Sequence, residues 1–144
     1  MRVLFLCVAN SARSQIAEGL AREKYAGFFD IVASAGSNPS GKVRPLAAVA
    51  MKEVGIDISS HASKALSTFD LNTFDFVVTL CAEEICPAAI LKEREKHLHW
   101  PVEDPAVDIE GESEEQKLER FRVALKEIDK KLKDFVAEKA KKTD

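Results

Sequence analysis

Short apolar strands that alternate with amphipathic helices constrain the fold of this chain more than any other feature. Residues 3–8 form a continuous apolar run typical of a buried strand, and residues 14–25 carry apolar side chains on one helical face. Further strands are predicted at residues 28–35, 74–80 and 97–100, and further helices at residues 45–54, 87–94 and from 113 onward. Strands that alternate with helices form parallel sheets. We therefore predict a single α/β domain over residues 1–144, with a central parallel sheet and helices on both faces.

Composition and charge limit the classes of partner. Apolar residues make up 46% and charged residues 31% of the 144 residues, an ordinary balance for a soluble globular protein. The net charge of −3 comes without a dense basic stripe, which argues against nucleic acid as a partner. No apolar run approaches the ~20 residues of a membrane span, and the apolar start is too short for a secretory signal. We expect a cytoplasmic protein that binds neither nucleic acid nor membrane.

The last helix carries a start signal and a long apolar stripe. Ser113 and Gln116 have the spacing of a capping box, which places the helix start near residue 113. Apolar residues then recur every three or four positions from Leu118 to Phe135. Such a stripe forms either a coiled-coil seam or a face packed on the sheet, and we favour packing on the sheet. The charged residues 138–144 are expected to fray.

A cysteine and an arginine flank the junction between the first strand and the first helix. Cys7 and Arg13 have five residues between them, and ligands of parallel sheets bind beyond the C-terminal ends of strands. A loop of this length can curl around a tetrahedral oxyanion, with its backbone N–H groups pointing inward and the helix N-terminus adding a positive dipole. The predicted oxyanion-binding residues are Val8, Ala9, Asn10, Ser11, Ala12 and Arg13.

The side chains around this loop suggest nucleophilic chemistry. Arg13 can donate two parallel hydrogen bonds to two oxygens of one anion. The same positive field would stabilise Cys7 as a thiolate and make it a nucleophile at neutral pH. Ser14 can donate its hydroxyl to that thiolate or act as the N-cap of the helix, and the two roles can coexist. The alternative for Cys7 is a buried, apolar thiol.

These residues carry a resemblance to a known family. Residues 3–18, VLFLCVANSARSQIAE, resemble the opening of the low-molecular-weight protein tyrosine phosphatase superfamily. At position 15 the chain carries glutamine and resembles the thioredoxin-linked arsenate reductases of that superfamily, whereas phosphatases usually carry proline at this position. Residues 34–36, 55–59 and 104–106 extend the resemblance over nearly the whole chain. The resemblance implies a phosphatase-like fold and an enzyme that needs no cofactor. It implies arsenate as the substrate, and phosphate or sulfate can occupy the same site.

The resemblance assigns a general acid to the loop after the last predicted strand. A leaving oxygen departs more easily from an oxyanion when it is protonated. By resemblance Asp104 supplies that proton, in a loop that Pro105 stiffens. An Asp-Pro pair is also a common turn, and Glu103 is the neighbouring competitor for the same role.

The chain has three cysteines, which cannot all pair with one another, and the resemblance gives the other two a redox role. Arsenate reductases carry a cysteine after a Val-Val-Thr-Leu strand and another before a proline, here Cys81 and Cys86. The implied relay begins when Cys7 attacks arsenate. Cys81 then attacks Cys7, and Cys86 moves the disulfide to Cys81–Cys86, which thioredoxin or, alternatively, glutaredoxin reduces. Only four residues separate Cys81 from Cys86, and the segment must rearrange, so we predict a mobile loop there.

Two rival functions use the same residues. A low-molecular-weight protein tyrosine phosphatase would need only Cys7, Arg13, Ser14 and Asp104. Aromatic residues often follow the Asp-Pro pair in such phosphatases, whereas Ala106 follows it here. A thiol redox sensor or oxyanion-binding regulator would use the cysteines without turnover. Weak phosphatase activity is expected even of an arsenate reductase, because phosphate and arsenate share shape and charge.

Two structural alternatives concern the second and third cysteines. Cys81 and Cys86 can be inert apolar residues. They can also bind zinc together with His97 and His99. We expect the two histidines to point to opposite faces of a short strand, which disfavours a shared metal, and we predict no metal site.

A cation position under the loop is the last inference from the resemblance. Asn10, Glu18 and Ser34 match the potassium site of some arsenate reductases, whose further acidic position is Lys64 here. The Lys64 ammonium would replace the cation, so we predict little potassium dependence. Asn10 is also expected to brace the loop through its side chain, and His61 is expected to be a surface or core histidine.

Overall fold

A four-stranded parallel sheet forms the centre of the protein, whose residues 1–81 and 96–142 are described in a computed structural model. The strands are β1 (Arg2–Cys7), β2 (Ile31–Gly36), β3 (Phe76–Cys81) and β4 (His97–Val102), in the order β2–β1–β3–β4. The helices are α1 (Arg13–Glu23), α2 (Pro45–Glu53) and α3 (Glu114–Lys142), with two short 3-10 helices, Leu66–Thr68 and Leu71–Thr73. The predicted parallel sheet is confirmed, while the helix predicted at residues 87–94 lies outside the described residues.

Both faces of the sheet are apolar, which explains the continuous apolar runs of β1 and β3. Successive strand residues point to opposite faces. The three α-helices cover one face, where the buried strand residues include Val3, Phe5, Val78 and Leu80. On the other face, the segment with the two 3-10 helices contributes Leu71 and Phe74, which cover Leu4, Leu6 and Val77. Helices therefore lie on both faces as predicted, with 3-10 helices on the second face.

Helix α3 begins where the sequence predicts and ends later than the sequence predicts. The Ser113 N–H donates to Gln116 Oε1 and the Gln116 N–H donates to Ser113 Oγ, which completes the capping box. Its apolar stripe packs on the sheet, with Phe121, Leu125, Ile128, Leu132 and Phe135 buried. The segment predicted to fray is helical as far as Lys142, and Lys139 packs over the Phe135 ring, while residues 143–144 lie outside the described residues. No helix among the described residues is long and apolar enough to cross a membrane.

Strand β4 is longer than predicted. It continues through Pro101 to Val102, two residues beyond the predicted end at residue 100. A proline is tolerated there because β4 is an edge strand of the four described strands, and one side of an edge strand needs no N–H donors. The extension brings the Asp104 loop directly to the C-terminal edge of the sheet.

Candidate active site

Two cysteines lie at the C-terminal edge of the sheet. Cys7 ends β1 and Cys81 ends β3, and both side chains are buried. The two strands are adjacent and parallel, with Leu6 paired to Thr79. Strand pairing therefore carries both sulfur-bearing residues to one edge, where parallel sheets bind their ligands.

The loop between β1 and α1 turns its carbonyl groups outward. Each carbonyl from Val8 to Ala12 accepts a hydrogen bond from outside the loop; the donors are the N–H groups of Asn38, Ser40, Arg44 and Ile16 and the side-chain amide of Gln15. The C=O and N–H of a trans peptide point in opposite directions. The N–H groups of the loop therefore face its interior, the arrangement that cradles an oxyanion.

Asn10 holds the shape of this loop from the centre. It is fully buried and has a positive φ of 48°, a conformation that asparagine tolerates better than most residues. Its Oδ1 accepts from the Lys64 N–H at 2.8 Å and from Gln15 Nε2 at 3.0 Å. Its Nδ2 donates to Ser14 Oγ at 2.8 Å and to Ser34 Oγ at 2.9 Å. Every polar atom of the side chain is thus engaged in bracing the loop.

The bonds of Asn10 set the direction of the Ser14 hydroxyl proton. A backbone N–H can only donate, so the bond from Lys64 fixes which amide atom of Asn10 is the oxygen. The amide nitrogen must then donate to Ser14 Oγ, which leaves the serine proton to point elsewhere. Cys7 Sγ lies 3.3 Å from Ser14 Oγ. This arrangement suits a thiolate at Cys7 that accepts a hydrogen bond from Ser14.

Arg13 is the first residue of α1, one position earlier than predicted. The N-cap position therefore falls on Ala12, which makes no capping bond through its side chain. The alternative role of Ser14 as a plain N-cap is wrong for this reason. The Arg13 guanidinium is 4% exposed and donates to the Val102 carbonyl at 2.9 Å, which orients it at the end of β4.

The two candidate acids after β4 differ in how they are held. Asp104 is half-buried, and its Oδ1 accepts from the Ala106 N–H at 2.9 Å. Glu103 is exposed. Both follow Val102, whose carbonyl binds Arg13. The bond from the Ala106 N–H orients the Asp104 carboxylate, and its role as the general acid stays a prediction.

A buried carboxylate lies under the loop and collects basic partners. Glu18 is 2% exposed, and its Oε1 accepts from Ser34 Oγ at 2.8 Å. Lys64 Nζ lies 3.6 Å from Oε1, and His61 Nδ1 lies 3.0 Å from Oε2. A buried carboxylate needs such partners. Lys64 thus stands beside Glu18 as the resemblance implied, and potassium independence stays a prediction.

His61 belongs to this network, which sequence reasoning missed. Its Nδ1 lies 3.2 Å from the side-chain oxygen of Gln15, whose amide nitrogen donates to the Ala62 carbonyl at 2.9 Å. The expectation of an ordinary surface or core histidine is therefore wrong. Burial lowers the pKa of His61; Glu18 opposes this effect, and nearby Arg22 and Lys64 reinforce it.

Gly36 marks a close approach between β2 and the loop. A Cβ atom at this position would overlap the Val8 carbonyl oxygen and lie 2.9 Å from the Asn10 nitrogen. Only glycine allows backbone to pass so near backbone. Sequence reasoning includes Gly36 only as part of the resemblance, because the segment that it approaches lies more than twenty residues away along the chain.

The two histidines of β4 point to the same face of the sheet. His97 Nε2 lies 2.8 Å and His99 Nδ1 lies 2.7 Å from Thr79 Oγ1. The expectation of opposite faces is wrong, because residues two apart on a strand share a face. Among the described residues, no group of three or more His, Cys, Asp or Glu side chains forms a metal site. Cys86 and the loop predicted between Cys81 and Cys86 lie outside the described residues.

The comparisons with known proteins agree with this geometry. A family model described as low molecular weight phosphotyrosine protein phosphatase matches residues 2–144. The arsenate reductase of Halalkalibacterium halodurans is 44% identical over 135 residues, covering 92% of this chain and 93% of the relative. That of Bacillus subtilis is 42% identical over 133 residues, covering 92% and 93%.

A solved structure extends the likeness to the fold. The structure of an arsenate reductase in the phosphate binding state is 34% identical, has a TM-score of 0.78, and covers 96% of this chain and 98% of that chain. This chain belongs to the low molecular weight phosphotyrosine protein phosphatase family.

Proposed function

We propose that this protein reduces arsenate to arsenite, with Cys7 as the nucleophile. The observation that carries the proposal is the loop that follows Cys7, whose N–H groups face inward while Ser14 stands 3.3 Å from the sulfur. A tetrahedral oxyanion fits such a cradle. The named activity of the relatives from H. halodurans and B. subtilis selects arsenate among such anions.

In the first step, the Cys7 thiolate attacks arsenic and forms a sulfur–arsenic bond. Arg13 and the N–H groups of residues 8–13 hold the remaining oxygens and balance their negative charge. Asp104 protonates the departing oxygen, which leaves as water. Before the attack, the Ser14 hydroxyl donates a hydrogen bond to the thiolate and so stabilises it.

In the second step, Cys81 attacks the sulfur of Cys7. The sulfur–arsenic bond breaks and its electron pair stays on arsenic, which is reduced from As(V) to As(III) as two thiols become a disulfide. The pairing of β1 with β3 supports this step, because both buried cysteines end at the same edge of the sheet. The segment after Cys81 must bring the two sulfurs within bonding distance.

In the third step, Cys86 attacks Cys81 and releases the Cys7 thiolate. The resulting Cys81–Cys86 disulfide accepts two electrons from a dithiol protein, for which thioredoxin is our first choice and glutaredoxin the second. A dithiol reductant of this kind belongs to the reducing cytoplasm, where we place the protein.

The experiment is arsenate-dependent NADPH oxidation coupled to thioredoxin and thioredoxin reductase. Wild type should turn over continuously. Cys86→Ser should stop after a single turnover with a Cys7–Cys81 disulfide, which mass spectrometry of peptides can identify. Failure of wild type to turn over with active coupling enzymes would exclude thioredoxin-linked reduction, and exchange for glutaredoxin would then test the second reductant.

A protein tyrosine phosphatase is the second candidate, because the matching family model carries that description. It would use Cys7, Arg13, Ser14 and Asp104 to form and hydrolyse a phosphocysteine. Cys81→Ser separates the two functions. Under our proposal this variant loses arsenate turnover and keeps any weak hydrolysis of an aryl phosphate. Strong hydrolysis without arsenate turnover in wild type would favour the phosphatase, and stoichiometric oxidation without turnover would favour a redox sensor.

A further inference from the structure

Two imidazole rings converge on one hydroxyl group beside the end of the sheet. His97 Nε2 and His99 Nδ1 lie 2.8 and 2.7 Å from the same atom, Thr79 Oγ1, and the ring centroids are 6.3 Å apart. The Thr79 hydroxyl therefore holds two ring nitrogens close to one oxygen atom. None of these three side chains takes part in the arsenate chemistry proposed above.

Backbone pairing fixes this arrangement. Thr79 lies opposite His99 in the register of β3 and β4, and His97 follows on the same face. Thr79 is fully buried, so its hydroxyl cannot move far. His99 is exposed and His97 half-buried, which leaves one side of the cluster open to solvent. The cluster is thus rigid behind and accessible in front.

The chemistry of the three groups suits one class of ligand. Neutral imidazole is the protein ligand that zinc, cobalt, nickel and copper ions favour, and two imidazoles held together bind better than one. The hydroxyl has only one proton and also lies 3.4 Å from the Leu98 carbonyl, so at least one of the two rings must donate its N–H to Thr79 Oγ1. We propose that His97 and His99, with the Thr79 hydroxyl and water, bind a borderline divalent transition-metal ion such as Zn²⁺ or Co²⁺.

This site differs from a zinc site built on the cysteines. It needs neither Cys81 nor Cys86, and it joins the edge strand β4 to β3. A metal ion that binds only the folded chain stabilises it, and the stabilisation grows with the logarithm of the ion concentration divided by its dissociation constant. Metal binding here should therefore raise the unfolding temperature as well as give a spectroscopic signal.

The test is a titration of the full-length, reduced protein with Co²⁺. Trp100 is the sole tryptophan of the chain and adjoins His99, so Co²⁺ bound there should quench its fluorescence. Wild type should show saturable quenching without the near-ultraviolet charge-transfer band of a thiolate–cobalt bond. His97→Gln and His99→Gln should each bind Co²⁺ about tenfold more weakly or worse. His61→Gln alters the remaining histidine of the sequence and should bind as tightly as wild type.

Three outcomes would overturn the proposal. The first is equal affinity in wild type and His99→Gln, and the second is loss of binding in His61→Gln. The third is a thiolate charge-transfer band that appears together with the quenching, which would assign the metal to cysteines. His99 is exposed, so His99→Gln should fold even if His97→Gln does not. A thermal melt with and without Zn²⁺ gives a second readout: the rise in unfolding temperature should vanish in His99→Gln.

Discussion

The amide nitrogen of Asn10 donates a 2.8 Å hydrogen bond to Ser14 Oγ, and this bond directs the serine proton toward Cys7. Asn10→Asp is nearly isosteric but replaces the donor with an acceptor, which would draw the Ser14 proton away from the sulfur. We expect the rate of Cys7 alkylation by iodoacetamide at neutral pH to fall about tenfold, since a hydrogen bond to a charged group contributes about 1.5 kcal/mol or more.

Ser14→Ala is the matched variant for this prediction. It removes the same proton without touching the amide, so its alkylation rate should fall by a similar factor, and combining the two changes should add little. Alkylation of Asn10→Asp at the wild-type rate would show that the serine proton does not serve the sulfur.

Gly36 is expected to be intolerant of any side chain. Gly36→Ala places a methyl group against the Val8 carbonyl oxygen, so either β2 or the oxyanion loop must move. We expect a loss of about 1–3 kcal/mol of unfolding free energy and weaker binding of inorganic phosphate by calorimetry. Gly27→Ala is the control, because a Cβ at residue 27 meets no atom within 4 Å. Equal effects of the two substitutions would contradict the close approach.

His61 should make stability depend on pH in a defined window. Its pKa is lowered from 6.5, so the folded protein binds this proton less readily than the unfolded chain does. The stabilising contribution is complete above the ordinary pKa and is lost as the pH falls from there through the folded value. The charged groups around the ring are Glu18 and Arg22 of α1 together with Asp57 and Lys64.

Urea unfolding near pH 7.5 and near pH 5.5 checks this expectation. Wild type should lose more free energy of unfolding between the two pH values than His61→Gln, whose amide does not titrate. Carboxylates remote from residue 61 titrate alike in both proteins and cancel in the difference, so the difference reports on His61 together with its partner Glu18. A variant that loses as much as wild type would place the pH dependence elsewhere.

Asp104 should account for proton delivery to the departing oxygen. Asp104→Asn keeps the carbonyl oxygen that accepts from the Ala106 N–H but cannot donate an acidic proton. We expect the rate of the arsenate-dependent step to fall about 100-fold. The limb of the pH–rate profile that reports the titration of the general acid should disappear. Glu103→Gln changes the exposed neighbour and should leave both nearly unchanged. The reverse pattern would make Glu103 the acid.

Three features follow from local sequence alone: the order of the described strands and helices, the capped start of α3, and the position of Cys7, Arg13 and Ser14 around one loop. These features depend on neighbours within a few residues, where periodicity and spacing act directly. The shared face of His97 and His99 also follows from the sequence, because residues two apart on a strand point to the same side. This rule contradicts our expectation of opposite faces.

The contacts around the loop form only in the folded chain. The resemblance already placed Glu18, Ser34 and Lys64 under the loop. The contacts of His61 with Gln15 and Glu18, however, join segments far apart in sequence, and no local pattern encodes which distant segments pack together. The same holds for Gly36, whose need for glycine arises only when β2 passes the Val8 carbonyl. The nucleophile and its arginine are identified by residue type and spacing within one loop. The groups that orient them are identified only by the close packing of remote segments, because these contacts exist only in the folded chain.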